Sequence, residues 1–62
     1  MRCNVRIWVG PTQVNRVVKE LMPFVTAFAG TEHVWFQAHP DKVRTALKEA
    51  KLECYLTSLE IA

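Results

Sequence analysis

The sequence is poor in the residues on which most catalytic centres depend. It contains 2 cysteines, 2 glycines and 2 histidines among 62 residues, and Ser58 is its one serine. No glycine-rich loop suited to a phosphate group is present, and the stretch VGPT resembles only a turn that enters a helix. Catalysis requires a nucleophile with a base, or paired carboxylates, that converge in a cleft. We therefore predict that the protein is not an enzyme.

The two histidines are also too far apart to bind one metal ion, and the two cysteines are too far apart to form a disulfide bond. His33 and His39 are about 20 Å apart if they lie on one extended strand, so they cannot bind the same metal ion. Cys3 and Cys54 fall near opposite ends of two neighbouring predicted strands, again about 20 Å apart. We predict two free thiols, no metal site and no cofactor.

The sequence also lacks a large excess of charge of one sign and lacks a long apolar run. The formal net charge of +2 is mild, so it neither demands nor excludes a polyanionic partner. No apolar run approaches the roughly 20 residues needed to span a bilayer, and the amino terminus lacks the pattern of a secretory signal. These absences predict a soluble, cytoplasmic protein without a membrane partner.

Apolar residues are what the sequence has in quantity, and they recur with regular periods. They make up 50% of the chain, which disfavours disorder and predicts a single domain over residues 1–62. Alternation of apolar and polar residues from Arg2 to Gly10 predicts a first strand. From Pro11 onwards, apolar residues three and four apart predict a helix that ends near Met22.

A β-hairpin is predicted next, over the segment from Phe24 to His39. This segment is rich in β-forming residues, and Gly30 with Thr31 supplies the turn between two strands. A rival interpretation extends the first helix through residues 24–28 and leaves three strands. We prefer four strands because Pro23 disfavours helical geometry in the residue before it.

A second helix and a last strand complete the pattern. The helix begins at Pro40, and the strand covers Cys54 to Ala62 with Tyr55, Leu59 and Ile61 facing inward. The order strand, helix, strand, strand, helix, strand predicts an α+β fold of the ferredoxin-like βαββαβ type. In this fold a four-stranded antiparallel sheet carries both helices on one face.

Two stretches resemble the ACT domain, a small regulatory module with the ferredoxin-like fold. The segment PTQVNRVVKEL has the spacing of the family's first helix, and HPDKVRTALKEAKLECYLTSLEI is similar to its second helix and last strand. The resemblance covers most of the chain. It implies a regulatory role, with an amino acid or another small ligand bound near Pro11, Thr12 and Gln13 at a dimer seam.

The sequence departs from the ACT pattern at two places. Members that bind amino acids usually carry a glycine directly after the first proline, where backbone approaches the ligand, and Thr12 occupies that position here. A glycine is also common where the second helix leads into the last strand. Here Lys51 or Leu52 must adopt the left-handed conformation, at a cost of about 1 kcal/mol.

The first and third strands are predicted to expose a mixed polar and aromatic surface, which we name the open face. If the helices cover one side of the sheet, alternation sends the remaining side chains of these two strands to the other side. The two strands are neighbours at the centre of a ferredoxin-like sheet, so these side chains form one patch. The predicted members are Arg2, Asn4, Arg6, Trp8, His33, Trp35, Gln37 and His39.

The leading functional hypothesis is a non-catalytic, stand-alone interaction or regulatory module of the small-inhibitor or adaptor type. It docks its open face or an edge strand onto a second copy of itself or onto a larger protein, with Trp8 and Trp35 as anchors. Two alternatives stay open. One is the ACT-like sensor of an amino acid or another small ligand, and the other is single-stranded nucleic-acid binding, with bases stacked on the aromatic residues.

Overall fold

The computed structural model describes residues 3–61 and contains one sheet of four strands. The elements in chain order are β1 (Cys3–Trp8), α1 (Val14–Leu21), β2 (Ala27–Ala29), β3 (His33–Ala38), α2 (Pro40–Glu49), a 3₁₀ helix (Glu53–Ser58) and β4 (Glu60–Ile61). All strand pairs are antiparallel, in the order β2-β3-β1-β4. The prediction of an α+β protein with a four-stranded antiparallel sheet is confirmed.

One face of the sheet and the inner sides of both helices form a single apolar core. Val5 and Ile7 of β1 alternate with exposed or half-buried neighbours, and Val34 and Phe36 of β3 do the same. No polar or charged side chain within residues 3–61 is buried. The buried set is Val5, Ile7, Val9, Val14, Val17, Leu21, Val25, Val34, Phe36, Ala38, Val43, Ala46 and Leu47.

The first helix, α1, is shorter than the helix that the sequence pattern predicts. Gly10 has a positive φ of 88°, and the N–H of Gln13 bonds to the carbonyl of Gly10, so residues 11–13 form a turn before the helix. At the other end, the N–H groups of Phe24 and Val25 both bond to the carbonyl of Leu21 at 2.9 Å. These bonds close the helix in a turn, and the predicted end near Met22 is confirmed.

Strand β2 exists, but it covers only Ala27–Ala29 rather than the whole segment from Phe24. The rival prediction of a longer first helix is wrong. Residues 24 and 25 are missing from the strand because their N–H groups already close α1. The hairpin turn follows at Thr31 and Glu32, where the N–H of Gly30 bonds to the carbonyl of His33 at 2.8 Å.

The predicted last strand over Cys54 to Ala62 is wrong in most of its length. Its first part is the 3₁₀ helix, and only Glu60–Ile61 pairs with β1; Ala62 lies outside the described residues. Tyr55 and Leu59 do pack against the core, whereas Ile61 is 57% exposed and does not face inward. The partly buried residues Leu52, Tyr55, Leu56 and Leu59 recur every three to four positions, a helical spacing that competes with the alternation.

The end of α2 confirms the prediction that Lys51 or Leu52 is left-handed. Lys51 has a φ of 60°. Its N–H bonds to the carbonyl of Lys48 at 3.1 Å, and the N–H of Leu52 bonds to the carbonyl of Leu47 at 2.8 Å. These two bonds form a Schellman motif, which satisfies carbonyls at the helix end and turns the chain back towards the core.

Candidate interaction surface

The open face exists as a contiguous patch across β1 and β3. The register places Asn4 opposite Gln37, Arg6 opposite Trp35 and Trp8 opposite His33. All six side chains are exposed or half-buried, while the residues between them are buried or, for Cys3, half-buried against the core. Of the other two predicted members, His39 is described below and Arg2 lies outside the described residues.

A row of four side chains crosses the whole sheet at the centre of this face. The register aligns Glu60 of β4, Arg6 of β1, Trp35 of β3 and Phe28 of β2. Arg6 donates from Nη2 and Nε to Oε2 of Glu60 at 2.7 and 3.1 Å. Its guanidinium carbon lies 5.4 Å from the centroid of the Trp35 ring, within the range of a cation–π contact.

The charge of Arg6 is therefore already engaged within the protein. Hydrogen bonds from Arg6 and its positive charge lower the pKa of Glu60 from its ordinary value; desolvation opposes this effect, and His33 adds a smaller lowering. Both partners are substantially exposed, with 36% and 58% of their side chains accessible. An ion pair this exposed contributes little to stability, and its effect is to hold Arg6 against Trp35.

Trp35 is held in place from two further sides. A Cβ added to Gly30 would lie 2.8 Å from the carbonyl oxygen of His33 and 2.9 Å from Nε1 of Trp35, so glycine is needed both for the hairpin backbone and for the edge of the indole. The His33 ring lies 6.3 Å from the Trp35 ring between centroids, tilted by 49°. Trp35 is thus a half-buried, fixed platform at the middle of the open face.

Trp8 lies beside this platform and is 52% exposed. Its ring passes over Gly10, where an added Cβ would lie 3.7 Å from Cη2. The hydroxyl of Ser58 accepts a hydrogen bond from the Trp8 N–H and faces the Trp8 carbonyl, both at 3.2 Å. Ser58 therefore takes the place of a neighbouring strand at this end of β1, just before β4 begins.

Phe28 belongs to the open face and was missed in the sequence analysis. It lies opposite Trp35 in the register and is 49% exposed. Val25 is buried and Ala27 packs against the core, so alternation along the segment sends Phe28 to the other side. The alternation of Val25, Ala27 and Phe28 is visible in the sequence, but it places Phe28 only once the buried side of β2 is known.

His39 has a capping role that the alternation pattern did not predict. β3 ends at Ala38, and the side chain of His39 caps α2. Its Nδ1 accepts a hydrogen bond from the N–H of Asp41 at 3.1 Å, and a carboxylate oxygen of Asp41 lies 3.7 Å from the same nitrogen. His39 therefore lies at the edge of the patch, at the end of the sheet farthest from Trp8.

The residues implied by the ACT resemblance lie together at the opposite end of the sheet. Pro11 and Thr12 are exposed and Gln13 is half-buried in the turn before α1. The carbonyl of Glu32 accepts hydrogen bonds from the N–H groups of Val9 and Gly10, at 3.0 and 3.1 Å. This turn is therefore fixed against the β2–β3 hairpin turn.

The remaining chemistry-bearing residues form no further constellation in the described part of the chain. Over residues 3–61, no three histidine, cysteine, aspartate or glutamate side chains are grouped to hold a metal ion. Cys3, which is half-buried, and Cys54, which is exposed, are free thiols. None of the helices described above is long and apolar enough to cross a membrane. Comparisons of the chain with protein-family models, with curated proteins and with solved structures give no match.

Proposed function

We propose that this chain is a non-catalytic interaction or regulatory module that docks through its open face. The observation that carries the proposal is the pair of exposed aromatic side chains, Trp8 and Phe28, on either side of the fixed Trp35 platform. Covering the exposed half of either aromatic ring is worth roughly 2 to 3 kcal/mol of apolar burial. A free surface seldom retains this much aromatic area.

The arrangement of the patch also suits a protein partner. Binding hot spots are enriched in tryptophan and arginine, and they lie inside a ring of polar residues that excludes water. Here Trp35 with Arg6 occupies the middle, and Asn4 and Gln37 lie at one end. Because Trp35 already packs against Arg6 and the Gly30 backbone, a partner that covers it has fewer rotamers left to restrict.

The edge of β2 extends this surface. The bond from Gly30 to His33 makes Phe28 and Trp35 a hydrogen-bonded pair, so the N–H and C=O groups of Ala27 and Ala29 point to the free edge. Strand β2 has only 3 residues, which limits pairing, but it carries neither the lysine nor the proline that protects many edges, and residues 21–31 contain no charged residue. A second copy pairing with this edge continues the open face across the new interface, which favours self-association.

The same geometry ranks the alternatives. A nucleic-acid phosphate has to compete with Glu60 for Arg6, and a base has to displace Arg6 from the ring of Trp35, so a protein partner is favoured. The ACT-like sensor places a small ligand at residues 11–13, and stabilisation by an amino acid in thermal melts is its test.

We also propose that the fold is ferredoxin-like, on the basis of the strand order β2-β3-β1-β4. Its last strand is then shortened to the two residues of β4.

The test is a comparison of matched truncations. We expect Trp8→Ala and Trp35→Ala to weaken association by about 2 kcal/mol or more, measured by sedimentation velocity for the self-complex and by titration for a captured partner. Met22→Ala is the control, because Met22 is 67% exposed but follows α1 rather than lying on the sheet. Circular dichroism verifies that each variant is folded.

The proposal fails if the protein stays monomeric up to about 1 mM and if the Trp8→Ala variant captures the same proteins from a native extract as the parent does. It also fails if Met22→Ala weakens association as much as the tryptophan variants do. In that case the apolar turn after α1, and not the open face, is the docking surface.

A further inference from the structure

A half-open cavity of about 370 Å³ lies where β3 passes into α2. Its volume falls within the range of small-ligand sites, and its lining is more polar than apolar. The cavity exists because β2 begins only at Ala27, opposite Phe36, so the last part of β3 extends beyond it. It adjoins the open face but lies at the other end of the sheet from residues 11–13.

The inner wall of the cavity is apolar. Val25 and Ala38 line it, and both belong to the core, with 6% and 7% of their surface exposed. The ring of Phe28 forms a side wall and is half exposed. A small apolar group placed here contacts the edge of the core without displacing any buried side chain.

The rim of the cavity carries one positive charge with no ion-pair partner among residues 3–61. This is Lys42, in the first turn of α2. The neighbouring carboxylate of Asp41 does not neutralise it, because Asp41 is paired with Arg44 at 2.8 Å. Gln37 and His39 add polar groups to the same rim.

The imidazole of His39 is held in a defined orientation at this rim. Its Nδ1 accepts the N–H of Asp41, which leaves Nε2 as the nitrogen available to a ligand. The N–H groups of Lys42 and Val43 bond to the carbonyl of His39 at 3.0 and 3.2 Å. These backbone groups are occupied, so an anion in the cavity is recognised by the Lys42 side chain and not by the helix terminus.

We propose that this cavity binds a small monocarboxylate with an apolar body. The carboxylate pairs with the Lys42 ammonium group and accepts hydrogen bonds from Gln37 and the Nε2–H of His39, and the apolar body lies against Val25 and Ala38. This site adjoins the docking surface proposed above and shares Phe28 and Gln37 with it, but its charged group is Lys42 and it requires neither Trp8 nor Trp35. It gives the chain a ligand class beyond any protein partner.

The test is a titration followed by ¹H–¹⁵N correlation spectra of the whole chain, with hexanoate and benzoate as probes. We expect saturable shifts of the amides around Thr26, Gln37 and Lys42, with a Kd of about 1 mM or below. Hexanamide, which has the same apolar body without charge, binds at least about tenfold more weakly.

Two lysine variants of α2 separate the site from general charge effects. Lys42→Gln weakens the binding of hexanoate at least about tenfold, and Lys48→Gln, which changes the same charge in the last turn, leaves it unaltered. The proposal is overturned if the shifts stay linear to about 20 mM, if both variants bind alike, or if the shifts centre on Trp8 and His33. Failure here leaves the association measurements on the tryptophan variants unaffected.

Discussion

A single backbone conformation at the end of α2 yields a stability prediction with a defined sign. Lys51 is exposed and has a φ of 60°, in the left-handed region where a Cβ clashes with the following carbonyl oxygen. The Schellman bonds on either side fix this conformation, so the residue cannot relax. Replacement by glycine removes the clash and keeps both bonds, since it alters only the side chain.

The expected magnitude is the difference between two opposing effects. The left-handed conformation costs an L-residue roughly 1 to 2 kcal/mol, all of which Lys51→Gly recovers. Glycine also gives the unfolded chain more freedom, which lowers stability by about 0.4 to 1 kcal/mol. The free energy of unfolding should therefore rise by about 0.8 kcal/mol at the middle of both ranges and by at most about 1.6 kcal/mol, and in a domain of this size the middle value raises the Tm by about 3 to 6 °C.

Urea unfolding followed by circular dichroism measures the change, with two variants as controls. Lys51→Ala keeps the clash and should show no gain, although it removes the same lysine side chain. Lys48→Gly places a glycine within the last helical turn and should lower the free energy of unfolding by about 1 kcal/mol. The reasoning is refuted if Lys51→Gly is no more stable than Lys51→Ala.

Three further predictions concern contacts of the sheet. Ser58→Ala removes the acceptor of the Trp8 N–H and a hydroxyl donor that the carbonyls of Trp8 and Tyr55 share, so it should lower the free energy of unfolding by about 1 to 2 kcal/mol. Thr57→Ala, whose hydroxyl bonds only to the Cys54 carbonyl within the 3₁₀ helix, should lower it less, and equal losses contradict the role of Ser58 at the edge of β1. Gly30→Ala places a Cβ 2.8 Å from the backbone carbonyl oxygen of His33 and 2.9 Å from Nε1 of Trp35, so the hairpin and the indole must both shift, at a cost of about 1 to 3 kcal/mol. The indole N–H resonance of Trp35 should shift in NMR spectra, and an unmoved resonance refutes the packing. The pKa of Glu60 is lowered in the folded protein, so its ion pair stabilises the fold above the ordinary carboxyl pKa and stops doing so as the pH falls through the lowered value. The stability difference between the parent and Glu60→Gln should therefore shrink as the pH falls below the ordinary carboxyl pKa, and it should also shrink in high salt; a difference that is constant with pH contradicts the pairing.

The sequence alone predicted those elements whose buried side is set by one clear period. In β1 and β3 the alternation, and in α1 and α2 the helical stripe, place the apolar residues on a single face of the element. These apolar faces are the ones buried in the structure. The segment from Leu52 to Leu59 was not predictable in this way, because its apolar residues fit both an alternating and a helical period. The chain direction imposed by Lys51 decides between them, and that direction is a property of the folded protein.

The open face was predictable in outline but not in its contacts. Alternation along β1 and β3 identified Trp8 and Trp35, whereas the partner of Arg6 depends on the register of a two-residue strand. Phe28 required knowledge of which side β2 buries, and that is fixed by Val25 at the preceding turn. Long-range register and short edge strands therefore set the limit of sequence-based reasoning here.

The position of the two tryptophans has a practical consequence for spectroscopy of this protein. The chain has 2 tryptophans, and neither contributes to the core. Their fluorescence therefore reports on the surface of the sheet, with Trp8 exposed to water and Trp35 lying beneath a guanidinium group. A molecule that covers this surface changes the emission while the circular dichroism stays constant. Unfolding of the core changes both signals, so the protein contains an optical probe of its own occupancy.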